Sequence, residues 1–434
     1  MQVSSVSLTP FRLSDDQIKA IEGISNIFTS GAMNTHKLAV LTGSAGTGKT
    51  FTANEIINKL NKFKIVATAS THRAAGVLSD SIGIKAITAH KAFALKPVVT
   101  RNGNEILKPV GRCDIPTGAV VIIDEASMIG NTFLKAITKI VKDKWLKVLF
   151  IGDPYQLPPT ADVCSLFDGS LPTFTLTKVH RQIGDNPILD KAVEYREYIE
   201  GTRDKEPTIT TQLNASGEGI HLLAHSEFTK EFVKKYVDYT AGTLVDIPLC
   251  TYTNDSAINY NDMIRKATYF LEDTIQPFYK GELMISNSST VLPGINPRIL
   301  LNNNEQVIIE NFSEIEHDGI PGYSIQVRRI DLNFEDNLST VFVPLNKAVV
   351  KKRLDELKEE AIHSREWTKY YDLKNFIADI RPPFAGTTHK AQGGTYPAVF
   401  IDKTNIDKCR NPAVRARLMY VALTRARYNV YINQ

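Results

Sequence analysis

Eight residues, Gly43-Ser44-Ala45-Gly46-Thr47-Gly48-Lys49-Thr50, join an apolar run to a helical stretch. Glycines at this spacing let the backbone curl until successive N–H groups converge, and a helix starting there adds its positive end. Such a loop suits the β-phosphate of a nucleoside triphosphate. Lys49 is expected between the β- and γ-phosphates, and the Thr50 hydroxyl on Mg²⁺. Further on, Val120-Val121-Ile122-Ile123 runs into Asp124-Glu125-Ala126-Ser127. This sets two carboxylates at a strand's C-terminal end, where open α/β sheets bind ligands. Asp124 suits the metal, and Glu125 is placed to orient and deprotonate an attacking water. Gly152-Asp153-Pro154-Tyr155-Gln156-Leu157 follows another apolar run, so Gln156 can hydrogen-bond the γ-phosphate from the same edge. Taken singly, these are a Gly-rich turn, a solvated acid pair and a Gly-Asp-Pro turn. Their shared position after buried strands is what favours phosphate chemistry.

For the three loops to share an edge, a parallel sheet must carry them. Leu38–Thr42, Lys64–Thr68, Val120–Ile123 and Val148–Ile151 read as its buried strands, alternating with helical stretches. Residues 93–112 break the alternation: Lys96–Thr100 and Glu105–Leu107 flank Asn102-Gly103, a strong hairpin signal. Over 273–345 long helical patterns give way to β-rich runs such as Gln306–Ile309 and Val341–Val343, with turns at Asn302-Asn303-Asn304 and Pro321-Gly322. That pattern predicts a small barrel. Val350, Leu354, Leu357 and Ala361 then mark one stripe of a charged helix, with Lys351/Asp355 and Lys352/Glu356 as i,i+4 pairs. The stripe is too short for a coiled-coil seam and predicts packing on a neighbour. Stretches around Ile247–Thr253 and Ala398–Ile401 flank the barrel and are expected to join in one discontinuous α/β domain.

The chain's 434 residues exceed one ordinary core. Lys and Arg total 51 against 47 Asp and Glu, a net charge of +4, so any nucleic-acid contact must come from a local groove. Cys113, Cys164, Cys250 and Cys409 lie far apart without a CxxC pair, which argues against a zinc site or a disulfide framework. The opening residues lack a signal-peptide pattern, and no apolar run reaches the roughly 20 residues that span a bilayer. A cytoplasmic protein with no membrane partner is the expectation.

In their order along the chain, the motifs resemble superfamily 1 helicases of the 5′-to-3′ branch, which holds the Dda and RecD-type motors. The resemblance rests on Gln17, the Gly43–Thr50 loop, Ala69–Ala75, Asp124–Ser127, Gly152–Leu157, Val179-His180-Arg181, Thr387–Gly393 and Tyr420–Ala426. It implies an α/β fold of two RecA-like P-loop domains. The first would carry the β-hairpin as a strand-splitting pin, and the second an inserted SH3-like barrel with a helical arm over Ala348–Ile380 that braces the pin. The implied divisions are 1–180, then 181–272 with 384–434, and 273–383 for the insertion. ATP and Mg²⁺ are the implied cofactors. Gln17 matches the adenine-reading glutamine, whose amide offers a donor and an acceptor. Arg181 and Arg425 match two arginine fingers. Thr71, His72, Thr88 and His90, with Thr253, Asn254, Thr387, His389 and Lys390, match contacts to single-stranded DNA. Single-strand/double-strand junctions, with replication or recombination proteins of a bacterial or phage-infected cell, are the implied partners. The longer N-terminal extension of RecD-type proteins and a clustered nuclease motif are both missing from this sequence.

Two other readings fit the residues: an RNA helicase of the same superfamily, and an ATP-switched translocase that remodels protein–DNA complexes without separating strands. The hairpin favours unwinding, because a bare translocase has no use for a wedge.

Overall fold

The computed structural model describes residues 13–31, 35–99, 105–159, 162–178, 186–237, 248–269, 275–330 and 337–434. Arg181, with Val179 and His180, and the turn residues Asn102 and Gly103 lie outside them. The chain forms two compact units: one runs to residue 96 and resumes over 107–184, and the other comprises 97–106 and 185–434.

Along the first unit run strands β1 (Lys37–Gly43), β2 (Ile65–Ala69) and β3 (Ile87–Thr88). The paired β4 (Leu95–Val99) and β5 (Glu105–Pro109), whose residues 97–99 and 105–106 are assigned to the other unit, follow, then β6 (Val120–Asp124), β7 (Lys147–Gly152) and β8 (Thr173–Leu176). All but the β4–β5 pair form one sheet in the order β3-β2-β6-β7-β1-β8, with its strands parallel. Alternate residues feed opposite faces. Val40, Val121, Ile123, Val148 and Phe150 enter one core, while Ala39, Leu41, Val120, Ile122, Leu149 and Ile151 enter another. A parallel sheet covered on both faces needs such continuously apolar strands. The helices are α1 (Asp15–Thr29), α2 (Lys49–Lys59), α3 (His72–Ile82), α4 (Ala89–Ala92) and α5 (Asn131–Asp143). Leu95 is buried in the sheet's core and Leu107 packs against it, which roots the base of the hairpin.

The second unit contains α6 (Pro187–Glu200), β9 (Gln212–Leu213), β10 (Gly219–Leu223), α7 (His225–Val237), β11 (Leu249–Thr251) and α8 (Asn254–Tyr269). The strands β12 (Leu283–Ser286), β13 (Thr290–Leu292), β14 (Arg298–Leu301), β15 (Gln306–His317), β16 (Ile320–Arg329) and β17 (Leu338–Pro344) come next. After them run α9 (Lys347–Ser364), α10 (Thr368–Phe376), β18 (Ile380–Arg381), β19 (Ala385–Thr387), α11 (Thr388–Ala391), β20 (Tyr396–Ile401), α12 (Lys403–Ile406), α13 (Pro412–Thr424) and β21 (Ala426–Asn433). The main sheet has the order β19-β11-β20-β21-β10-β9, parallel except for β9. Strand β11 pairs with both β19 and β20, so the stretches on either side of the insertion do join.

Within the insertion, β17-β16-β15-β12-β18 form a five-stranded antiparallel sheet around Met284, Leu301, Val307, Ile309, Ile325, Val327 and Val341. The arm differs from the single helical segment expected over Ala348–Ile380. The chain breaks at Arg365, whose φ of +66° ends α9, and Ile380 belongs to β18 of the barrel, not to a helix. Leu357 and Ala361 of the predicted stripe are buried, and Leu357 meets Phe342 and Leu373 with Val350 and Leu354 beside them. Arg353 ties the helix to Asp318 at 3.1 Å.

A buried ion pair joins the insertion to its host. Arg265 of α8 holds Glu282 at 2.5 Å and donates to the carbonyls of Gln276 and Pro277 at 2.8 and 3.0 Å. The Tyr279 ring lies 5.2 Å from the guanidinium. Satisfying the charge on every side is what makes such burial tolerable.

Candidate active site

Strands β6, β7 and β1 are neighbours and parallel, so the loops that leave their C-terminal ends share an edge. Gly43 ends β1. A Cβ on it would stand 2.4 Å from the Thr47 hydroxyl oxygen, so only glycine lets the loop fold this closely. Gly48, with a φ of +79°, takes the left-handed turn that starts α2. The octet thus wraps as its spacing predicts, with Gly46 also at positive φ and the Thr47 hydroxyl donating to the Ser44 carbonyl at 2.9 Å. Lys49 Nζ donates to the carbonyls of Gly43 and Ser44 at 2.8 and 2.9 Å. Thr50 follows it in the first turn of α2.

At the end of β6, Asp124 Oδ1 accepts from the Glu125 backbone N–H at 2.8 Å. Burial, then the Glu125 charge, pushes the Asp124 carboxyl up to about 7, while that hydrogen bond and Lys49 pull the other way. A divalent cation would relieve both the desolvation and the like-charge repulsion. Glu125 sits at a φ of +52°, a left-handed conformation that costs a non-glycine residue about 1–3 kcal/mol and is characteristic of functional sites. After β7, Asp153 accepts from the Tyr155 N–H at 3.0 Å in a tight turn that buries Gln156.

Gln17 belongs to the same neighbourhood. It is buried on α1, its Oε1 accepts from the Ser14 N–H at 3.1 Å, and its Nε2 reaches the Thr47 carbonyl at 3.4 Å. Its spacing from Ser14 is that of a helix capping box. Asp16, which sequence reasoning missed, accepts from the backbone N–H groups of Thr177 and Lys178 at 2.7 and 3.1 Å. Although partial burial works against ionisation, hydrogen bonds from Ser14, Lys178, Thr177 and Gln17 hold its carboxyl well below the usual range. The contact spans 161 residues of sequence, so no local pattern announces it.

In the second unit, Arg425 is buried where α13 meets β21, and its guanidinium donates to the carbonyls of Val421 and Gly394 and to the Thr424 hydroxyl at 3.0–3.2 Å. All of these acceptors are neutral. Nearby, burial pushes the Cys250 thiol up to about 12, although the Arg425 charge pulls it down.

The nine nucleic-acid candidates fall on one structural pattern repeated in both units: a parallel strand ends and a helix begins. Thr71 caps α3 by accepting from Ala74 N–H at 3.2 Å, with His72 next to it, and Thr88 caps α4 by accepting from Lys91 N–H at 3.4 Å. His90 meets the Phe133 ring edge-on at 5.0 Å. Between β11 and α8, Asn405 Oδ1 accepts from the N–H groups of Tyr252 and Thr253 at 2.8 and 2.9 Å, and Asn254 opens the helix. Thr387 precedes α11, which carries His389 and Lys390. Burial lowers the His389 pKa, favouring the neutral imidazole. Asn405 was also unforeseen, since nothing local marks a residue that lies 153 positions away from Tyr252.

Among the described residues no cluster of three or more His, Cys, Asp or Glu side chains could hold a metal unaided. Mg²⁺ at Thr50 and Asp124 would therefore take its remaining ligands from phosphate and water. No helix of the described residues is long and apolar enough to cross a membrane.

The chain is similar to several known proteins. Residues 12–206 match the AAA domain model, and residues 383–432 match the UvrD-like helicase C-terminal domain. The chain is 25% identical to the ATP-dependent DNA helicase dda of Enterobacteria phage T4, over 96% of this chain and 99% of that protein. It is 31% identical to the ATP-dependent RecD2 DNA helicase of Deinococcus radiodurans over 36% of this chain and 21% of that one. Among solved structures, the Pif1 helicase from Candida albicans aligns over 98% of this chain and 94% of its own, with a TM-score of 0.45 and 17% identity.

Proposed function

We propose that this chain, an ATP-dependent DNA helicase of superfamily 1, moves 5′ to 3′ along single-stranded DNA and parts duplexes with the β4–β5 hairpin, as a motor of the Dda and RecD type. The observation that carries the reading is the edge formed by β1, β7 and β6, where the Gly43–Thr50 loop, Asp153–Gln156 and the Asp124–Glu125 pair come together. The full-length similarity to dda supports the assignment to that branch.

In this reading the loop N–H groups and Lys49 hold the β- and γ-phosphates, and Gln17 reads the base. Thr50 and Asp124 hold Mg²⁺, which when bound neutralises charge on the phosphates. Glu125 takes the proton of the attacking water, and Gln156 hydrogen-bonds the γ-phosphate. Arg425 supports a finger role because it is buried and its acceptors are all neutral, leaving its charge available to an anion. Arg181 is assigned the second finger from its motif. Hydrolysis is thereby coupled to opening and closing of the two RecA-like domains. The strand-to-helix junctions at Thr71, Thr88, Thr253 and Thr387 form the track for the DNA backbone.

The test uses two partial duplexes, one with a 5′ single-stranded tail and one with a 3′ tail, each with ATP and Mg²⁺. Unwinding from the 5′ tail alone is expected. Unwinding from the 3′ tail alone would remove the branch assignment. DNA-stimulated hydrolysis without unwinding of either would favour a remodelling translocase.

A further inference from the structure

Where the barrel meets the α11 segment, a group of cations gathers that the nucleotide site does not use. Strands β12 and β18 pair with Ile285 opposite Arg381 and Ser286 opposite Ile380. Just beyond that register, Asn287 donates to Asp379 twice, from its backbone N–H to the carbonyl and from its amide to the carboxylate, both at 2.7 Å. Lys347 comes from the start of α9 to within 3.4 Å of the same carboxylate. Lys390 comes from α11 and donates to the Asn287 amide oxygen. Two lysines thus meet at the Asn287–Asp379 pair, with Arg381 close along the chain from the same carboxylate.

Arg381 is the unbalanced member. Its guanidinium is partly buried, and among the described residues its Nε finds no acceptor. Burial lowers its pKa, and the Asp379 charge only partly offsets this. Burial and then the Arg381 charge depress Lys390 to about 8, with Lys347 adding to the effect and Asp379 opposing it. Cations that repel one another gain from an added anion. A forked guanidinium beside an ammonium matches the oxygens of a phosphate group.

We propose that Arg381 and Lys347 of the insertion, together with Lys390, clamp one phosphodiester of the bound single strand, which makes the barrel part of the DNA track. The proposal rests on the single-stranded-DNA reading above and adds two residues from outside the helicase motifs to it. The clamp reads backbone alone, so it is indifferent to sequence.

Affinity of the whole protein for fluorescently labelled oligo-dT and for a mixed-sequence oligonucleotide tests this across a salt series. Arg381→Gln is expected to weaken both about tenfold, the scale of a lost charge-assisted hydrogen bond. It should also flatten the slope of log affinity against log salt by about 0.7, the counterions released at one single-strand phosphate. Arg381→Lys should recover the slope, and Lys347→Ala should lower it in the same direction. An unchanged thermal midpoint for Arg381→Gln separates a lost contact from a lost fold. Inorganic phosphate present at equal ionic strength should compete with DNA in the wild type and less in Arg381→Gln. Wild-type affinity and slope in both Arg381→Gln and Lys347→Ala would overturn the clamp while leaving the motor intact. Failure of the wild type itself to bind single-stranded DNA would overturn the motor reading and the clamp with it.

Discussion

In the proposed mechanism Lys49 holds the phosphates and Glu125 takes the water's proton, so their replacements separate binding from chemistry. Lys49→Ala removes the charge assigned to the phosphates in the proposed mechanism and is expected to abolish measurable ATP binding, as followed by fluorescent-nucleotide titration. Glu125→Gln keeps the shape and the strained backbone, but the carboxamide cannot accept the water's proton. Nucleotide binding should persist while hydrolysis falls by about 10²–10⁴-fold. A Glu125→Gln variant that still turns over ATP at the wild-type rate would move the general base elsewhere. Asp124 predicts a pH effect of definite sign. Burial and the Glu125 charge raise its carboxyl to about 7, and in the proposed metal-binding role proton and cation compete for the same oxygens. Steady-state hydrolysis at limiting Mg²⁺ should therefore fall as pH drops below that value, and higher Mg²⁺ should move the fall to lower pH. The phosphate loop and the acid pair were legible in the sequence because each is a contiguous string whose chemistry depends on local backbone shape. Asp16 and Asn405 were not, because their roles come from partners far along the chain.

At the level of elements, the hairpin and the barrel junction carry separate predictions. Deleting residues 98–106 should abolish strand separation while DNA-stimulated hydrolysis continues; loss of neither would withdraw the pin assignment. Glu282→Ala should strand the Arg265 charge inside the protein, and removing one member of a buried pair costs about 3–5 kcal/mol. Urea denaturation followed at a probe in the barrel would register the loss, and a variant as stable as the wild type would mean the pair is not structural. The central strands of the first sheet could be read within a residue or two, since a run of four or five largely apolar residues between helical stretches has few other uses. The two-residue β3 and β18 could not, because strands so short leave no periodicity. The break at Arg365 was hidden for a different reason: a charged residue in a charged helix gives no sign of adopting positive φ.

At the scale of the whole molecule, the proposed finger role of Arg425 carries the prediction. Arg425→Ala should leave nucleotide binding near normal and lower DNA-stimulated hydrolysis by about 10³-fold or more, as removal of an arginine finger does. Normal DNA-stimulated turnover in that variant would end the two-domain model. This organisation was legible in the order of the motifs, whereas the distribution of strands between the host sheet and the insertion needed the structure. That distribution bears on how the protein is made. Strand β10 completes its parallel pairing with β21, with contacts between residues 210 positions apart, while the strands of the first sheet all lie between Lys37 and Leu176. A chain emerging from the ribosome can close the first sheet early. The second must wait, because the edges of β10 and β11 that meet β21 and β20 stay unpaired until those strands have been synthesised, and the barrel in between can fold during the wait. Non-local pairing of this kind is slow and exposes unpaired strand edges. The stretch of translation between β11 and β21 is thus when the nascent chain is most open to aggregation and has most to gain from a chaperone.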